Sequence, residues 1–151
     1  MVDFSYLSAL ELLNLYRQRE LSPLEVARAY ATLANGGVRS WPHTFEDIVA
    51  PGGGSVDRRE RKFERVLDPG TSYLMISLLE GVVERGTASR IRRLGIRGPV
   101  AAKTGTSDDE KDLWFVGITP EMVAVVWVGY DEPASVGSAS SRVALPIWAA
   151  F

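Results

Sequence analysis

The chain has 151 residues, a formal net charge of −2 and no cysteine, with 46% apolar and 24% charged side chains. That balance fits one globular domain and excludes a disordered chain, a disulfide scaffold and a cysteine-ligated metal centre. It offers no bulk attraction for nucleic acid or an anionic membrane, and no run approaches the roughly 18 apolar residues of a membrane span.

Taken in chain order, Tyr6, Leu7, Leu10, Leu13 and Tyr16 recur at helical spacing, predicting a first helix over about 4–19. Met1-Val2-Asp3 leads straight into it without the basic start of a signal peptide. A second helix is expected over 23–35. Ser22-Pro23-Leu24-Glu25 combines a capping serine, a proline at the first helical position and a glutamate three residues after the cap, while Asn35-Gly36-Gly37 supplies the left-handed stop. Residues 38–68 hold Trp41-Pro42, Pro51-Gly52-Gly53-Gly54 and a run of mixed charge from Asp57 to Arg65; short strands, a hairpin and a solvated Arg58–Lys62 segment fit this pattern.

Asp68-Pro69 opens a third helix, in which Met75, Leu78, Leu79, Val82 and Val83 recur at three and four and Gly86 marks the end. Gly81 inside it is unfavourable by about 1 kcal/mol against alanine, which predicts close packing there. Ala88–Leu94 reads as a shorter helical piece whose Arg90, Arg92 and Arg93, with Arg97, form a solvated basic face. The period then changes from helix to strand. Pro99–Thr104, Leu113–Ile118 and Met122–Tyr130 are short apolar runs, with Thr119-Pro120-Glu121 as a tight turn, and they predict three antiparallel strands in sequence order. Ser140–Phe151 is expected to be helical, broken or offset by Pro146. The fold class is therefore α/β: a three-stranded antiparallel sheet packed with helices, in one domain over 1–151.

Chemistry concentrates in Lys103-Thr104-Gly105-Thr106-Ser107, a cation, three hydroxyls and a glycine at the polar end of an apolar strand. This is not a phosphate-binding loop, because Ala102 and Arg97 stand where that motif requires glycines. A serine–histidine–carboxylate triad has only His43 to draw on, and a histidine beside Pro42 reads as an exposed loop residue. One histidine and scattered carboxylates give no metal cluster, and no cofactor is implied. A lysine at a strand end places a cation in a cleft, where it can attract a carboxylate and hold a hydroxyl network in the required protonation state. Gly105 lets an extended peptide approach the backbone.

Lys-Thr-Gly is one of the three short motifs of the penicillin-binding and β-lactamase fold. Around it, "LSPLEVARAYATLANGG", "LLEGVVERGTAS", "AAKTGTSDDEKDLWFVGITP", "VAVVWVGYD" and "ALPIWAAF" together resemble the C-terminal half of the transpeptidase domain of class A penicillin-binding proteins, over about residues 21–151. The resemblance implies a serine-type D,D-transpeptidase that crosslinks peptidoglycan on the extracytoplasmic face of the bacterial cytoplasmic membrane. Its ligands would be the stem peptide and β-lactam antibiotics, and no nucleic acid. It also implies roles: Lys103 and Thr106 catalytic, with Thr104, Gly105, Thr106, Ser107 and Trp114 contacting substrate and the Thr106 N–H in the oxyanion hole.

The other two motifs are missing. The only lysines are Lys62, Lys103 and Lys111, and Arg59, Val100 and Asp108 stand three residues before them, so there is no S-x-x-K nucleophile. S-x-N is absent as well, because leucine stands two places before both Asn14 and Asn35. In the family both motifs precede the region that matches here. The chain then reads either as a piece of a longer enzyme, with the N-terminal half of the domain as its partner, or as a non-catalytic peptide-binding module. In the family the strand matching Met122–Tyr130 pairs with that N-terminal half, which predicts an unpaired edge open to self-association.

Overall fold

The computed structural model describes residues 23–151; the helix expected over 4–19 and the Ser22 cap lie outside the described residues. Helix α1 spans Pro23–Ala34. It stops because the Gly37 amide turns back to the Thr32 carbonyl at 2.9 Å while Gly36 and Gly37 take positive φ values of 61° and 87°. A side chain at Gly37 would also strike the Leu67 carbonyl, 2.2 Å from its Cβ, so glycine is required there twice over.

The irregular region resolves into two small nested ladders. Strand β1 (Val38–Ser40) pairs antiparallel with β4 (Phe63–Arg65), and between them β2 (Asp47–Val49) pairs with β3 (Ser55–Arg58). The glycines after Pro51 form the β2–β3 turn, closed by the Ala50 amide on the Gly54 carbonyl at 2.8 Å. Residues 58–62 are exposed as expected, with Arg61 meeting Glu46 and the Arg59 guanidinium 5.2 Å from the Phe45 ring. His43 is exposed too.

Helix α2 (Pro69–Arg85) starts where Asp68 and Pro69 place it: the Asp68 carboxylate accepts from the Thr71 amide at 3.0 Å and also from the Thr71 hydroxyl. One expectation fails in this stretch. Gly81 is closely approached, since a Cβ there would lie 3.3 Å from the Arg85 guanidinium of its own helix. The arginine cluster, however, is not wholly a solvated face, because on the short helix α3 (Arg90–Arg93) Arg92 donates to the carbonyls of Ile96 and Gly98 and pairs with Glu84. A guanidinium's five donors suit it to tying a loop of free carbonyls, which a charge count does not reveal.

The main sheet comprises β5 (Ala101–Thr106), β6 (Asp112–Ile118) and β7 (Val123–Gly129), antiparallel and in that spatial order. The Thr119 hydroxyl accepts from the Met122 amide at 3.1 Å and organises the β6–β7 turn. Helices flank both faces. On one, Phe115, Leu113 and Ala102 pack with Val83 and Ile91 and with Leu145 and Trp148 of α4 (Ala144–Ala150). On the other, Ala101 and Ile118 pack with Leu79, Ile76 and Tyr30, and burial raises the Tyr30 phenol pKa. Pro146 does not break α4. The helix begins only at Ala144, so proline falls in the first turn, where its missing N–H is harmless.

Gly117 is what lets α4 lie against the sheet, since a Cβ there would come within 2.2 Å of the Trp148 indole. Gly117→Ala is expected to destabilise the fold by about 1–3 kcal/mol, whereas Gly52→Ala, whose Cβ would meet nothing within 4 Å, should stay within about 0.5 kcal/mol. Urea unfolding of both variants checks the contrast.

The Asp68 cap sets a pH dependence. Its hydrogen bonds from the Thr71 hydroxyl and amide hold the carboxyl pKa below the ordinary value. Folding therefore favours the ionised form: the contribution is complete above the unfolded pKa and is lost as pH falls through the folded one. The melting temperature of Asp68→Ala should lie below that of the parent at neutral pH, with the gap closing on acidification.

Candidate functional site

Strand β5 is an edge of the main sheet, pairing among the described residues only with β6. Its ladder sets Lys103 opposite Val116, Thr104 opposite Phe115, Gly105 opposite Trp114 and Thr106 opposite Leu113. Directly opposed residues of an antiparallel pair share a face, and successive residues alternate. Lys103 and Gly105 therefore lie on the face of Trp114 and Val116, while Thr104 and Thr106 lie on the face of Phe115 and Leu113. The five sequence-predicted residues of the motif are not gathered on one side.

Lys103 is exposed, and its ammonium donates to the backbone carbonyl of Thr104, which bends the side chain along the strand. Gly105 lacks a side chain for a reason the sequence did not supply: a Cβ would sit 3.1 Å from the Trp114 Cβ. Trp114 is half-buried opposite it, its ring 6.4 Å from that of Trp127 and tilted by 49°. The tryptophan thus belongs to the wall beneath the lysine and glycine.

Ser107 stands apart from the rest. It is 5% exposed, its hydroxyl contacts the Asp112 carboxylate at 3.1 Å, and that same oxygen accepts from the Asp112 amide at 2.8 Å. The Ser107 amide meets the Asp112 carbonyl at 3.0 Å, and Asp112 also accepts from the Trp127 indole N–H at 3.2 Å. This clasp closes the turn between β5 and β6, in which Asp109 and Glu110 take positive φ values of 59° and 56°.

Two hydroxyls that sequence reading had not singled out adjoin the strand. Thr87, in the turn after α2, lies 2.7 Å from the Thr104 hydroxyl. Ser140, before α4, lies 3.1 Å from the Thr106 hydroxyl and donates its amide to it at 3.4 Å. Thr87, Thr104, Thr106 and Ser140 make a row of paired hydroxyls along one face of the edge, with Thr106 donating to Ser140 and either threonine able to donate in the Thr87–Thr104 pair. Among the described residues no three of His, Cys, Asp or Glu gather where a metal could sit. A concavity of about 260 Å³ lies at the other end of β5, against Ala101, Ile118, Ile76 and Met122, away from the lysine.

The family model "Penicillin binding protein transpeptidase domain" matches residues 19–150. Penicillin-binding protein 1A of Aquifex aeolicus is 41% identical over 131 residues, covering 85% of this chain and 18% of the relative. That of Neisseria gonorrhoeae is 38% identical over 136 residues, covering 85% and 17%. Among solved structures, penicillin-binding protein 1A from Haemophilus influenzae superposes with a TM-score of 0.79 at 25% identity, over 85% of this chain and 25% of that one. The chain thus spans about a sixth of the length of these relatives.

The clasp predicts a stability effect. Asp112→Ala removes the acceptor for both the Ser107 hydroxyl and the Trp127 indole and should destabilise the chain by about 1–3 kcal/mol. Asp112→Asn, which keeps one acceptor oxygen, should lose less; chemical unfolding followed by tryptophan fluorescence measures both.

Proposed function

The chain belongs to the penicillin-binding protein transpeptidase family, and from that premise we propose that its β5 edge forms the substrate-binding half of a D,D-transpeptidase site. The observation that carries this reading is the geometry of Lys103-Thr104-Gly105-Thr106 on an exposed sheet edge with a row of hydroxyls beside it. An extended stem peptide, or a β-lactam in its place, adds to that edge as a further strand. Its terminal carboxylate is held by the Thr104 and Thr106 hydroxyls within the field of the Lys103 ammonium.

Acyl transfer needs a nucleophile and its base in hydrogen-bond reach. No lysine of this chain has a serine three residues before it, so the attacking serine and its lysine come from outside these residues, from the N-terminal half of the domain. Lys103 then supports the hydroxyl network of the assembled site, and the Thr106 N–H stabilises the oxyanion, a contact worth about 2.7–4 kcal/mol in the transition state. Ser107 is excluded from direct ligand contact by its bonds to Asp112 and serves to hold the end of the strand. Trp114 lines the wall on the Lys103 side. In the full protein the reaction takes place on the extracytoplasmic face of the cytoplasmic membrane; among the described residues no helix is long and apolar enough to span it.

A carboxylate contact and one oxyanion donor seldom exceed the cost of immobilising a ligand. Fluorescent penicillin incubated with the 151-residue chain should therefore leave its intact mass unchanged, while the complete transpeptidase domain is acylated. In that complete domain Lys103→Ala should slow acylation by about 10²-fold or more. A stoichiometric adduct on the isolated chain would place the nucleophile here and overturn the assignment.

A further inference from the structure

The hydroxyl of Thr87 has no part in the site as read from the motif, yet it sits 2.7 Å from that of Thr104. Its position is set by backbone on both sides. Gly86 ends α2 with its amide on the Val82 carbonyl at 3.1 Å, and any side chain there would collide with that carbonyl, 2.8 Å from the Cβ. Ala88, on the other side, is 0% exposed, and its amide also reaches the Val82 carbonyl, at 3.2 Å. The Ser89 amide then closes the turn on the Gly86 carbonyl at 3.1 Å. Thr87 itself is exposed, so its hydroxyl is presented on a rigid turn without being needed in the core.

A threonine hydroxyl carries one proton and two lone pairs. In the free protein the Thr87–Thr104 bond can run in either direction. A carboxylate can only accept, so Thr104 must turn its single proton to the ligand, and the bond to Thr87 then has one possible sense, from Thr87 to Thr104. A chain of two hydrogen bonds ending on an anion strengthens each member.

We propose that Thr87 is a positioning residue for the carboxylate of the substrate: it donates to Thr104 and thereby directs the Thr104 proton into the site. This deepens the reading of the β5 edge as a carboxylate site and rests on it. Thr106 also meets a neighbouring hydroxyl, but there it donates to Ser140 Oγ and accepts only from the Ser140 amide, and Ser140 is 2% exposed, so that its removal would disturb the core. Thr87 is the member whose hydroxyl can be deleted cleanly.

The test uses the complete transpeptidase domain and two forms of one β-lactam, the free carboxylate and its methyl ester. The readout is the ratio of their acylation rate constants, with thermal melting as a check on folding. Thr87→Val should lower that ratio about five- to tenfold, the loss expected when one member of a charge-assisted chain is removed, with melting unchanged. Thr87→Ser, which restores the hydroxyl, should recover most of it. An unchanged ratio in Thr87→Val, equal losses for acid and ester, or no recovery in Thr87→Ser would overturn the positioning role while leaving the carboxylate site intact. A parent domain that acylates acid and ester equally fast would remove the carboxylate site itself, and the role of Thr87 with it.

Discussion

The register of β5 on β6 is the constraint on which the site depends. Because side chains alternate along a strand, a slip by one residue would exchange the faces of Lys103 and Thr104 and bring Thr104 opposite Trp114 or Val116 instead of Phe115. Such a slip is blocked by the core. Phe115 and Leu113 are fully buried and face Ala102, Val83 and Ile91 on the helical side, so moving them would expose two large apolar groups. The chemistry of a solvent-exposed edge is fixed by residues that no solvent reaches.

Pinning at the two ends of the ladder reinforces that register. At the loop end, Ser107 and Asp112 exchange three hydrogen bonds across the β5–β6 turn, and Asp112 extends the tie to Trp127 on β7. At the opposite end Ala101 and Ile118 are buried against Leu79 of α2. Between them lies the segment from Lys103 to Thr106, whose partners beyond β6 are the hydroxyls of Thr87 and Ser140. Rigid scaffolding around a polar edge is the arrangement that binding requires, because groups already in place lose little freedom when a ligand docks.

The same sheet is edged on its far side by β7, which pairs among the described residues with β6 alone. Its sequence, Val123 to Gly129, carries none of the charges or prolines that commonly protect an exposed edge. Helix α2 presents Tyr73, Leu74 and Leu78 to solvent as well, at 73%, 63% and 68% exposure.

Much of the fold was legible in the sequence because its signals are local. Asp68-Pro69 starts a helix by satisfying its first amides, Asn35-Gly36-Gly37 ends one by supplying left-handed backbone, and the change from helical to strand period announced three strands in order. The Lys-Thr-Gly motif and the runs around it pointed to the family. What remained hidden was whatever depends on residues distant in the chain. Only tertiary packing could show that Arg92 ties a loop, that Gly81 lies under the Arg85 guanidinium while Gly117 faces an indole, and that Ser107 belongs to Asp112. The split of Lys103 from the two threonines across a strand follows from period two. Which face each takes, and that Thr87 and Ser140 stand beside them, was decided by burying Phe115 and Leu113, since the free energy of removing large apolar groups from water outweighs any local preference for register.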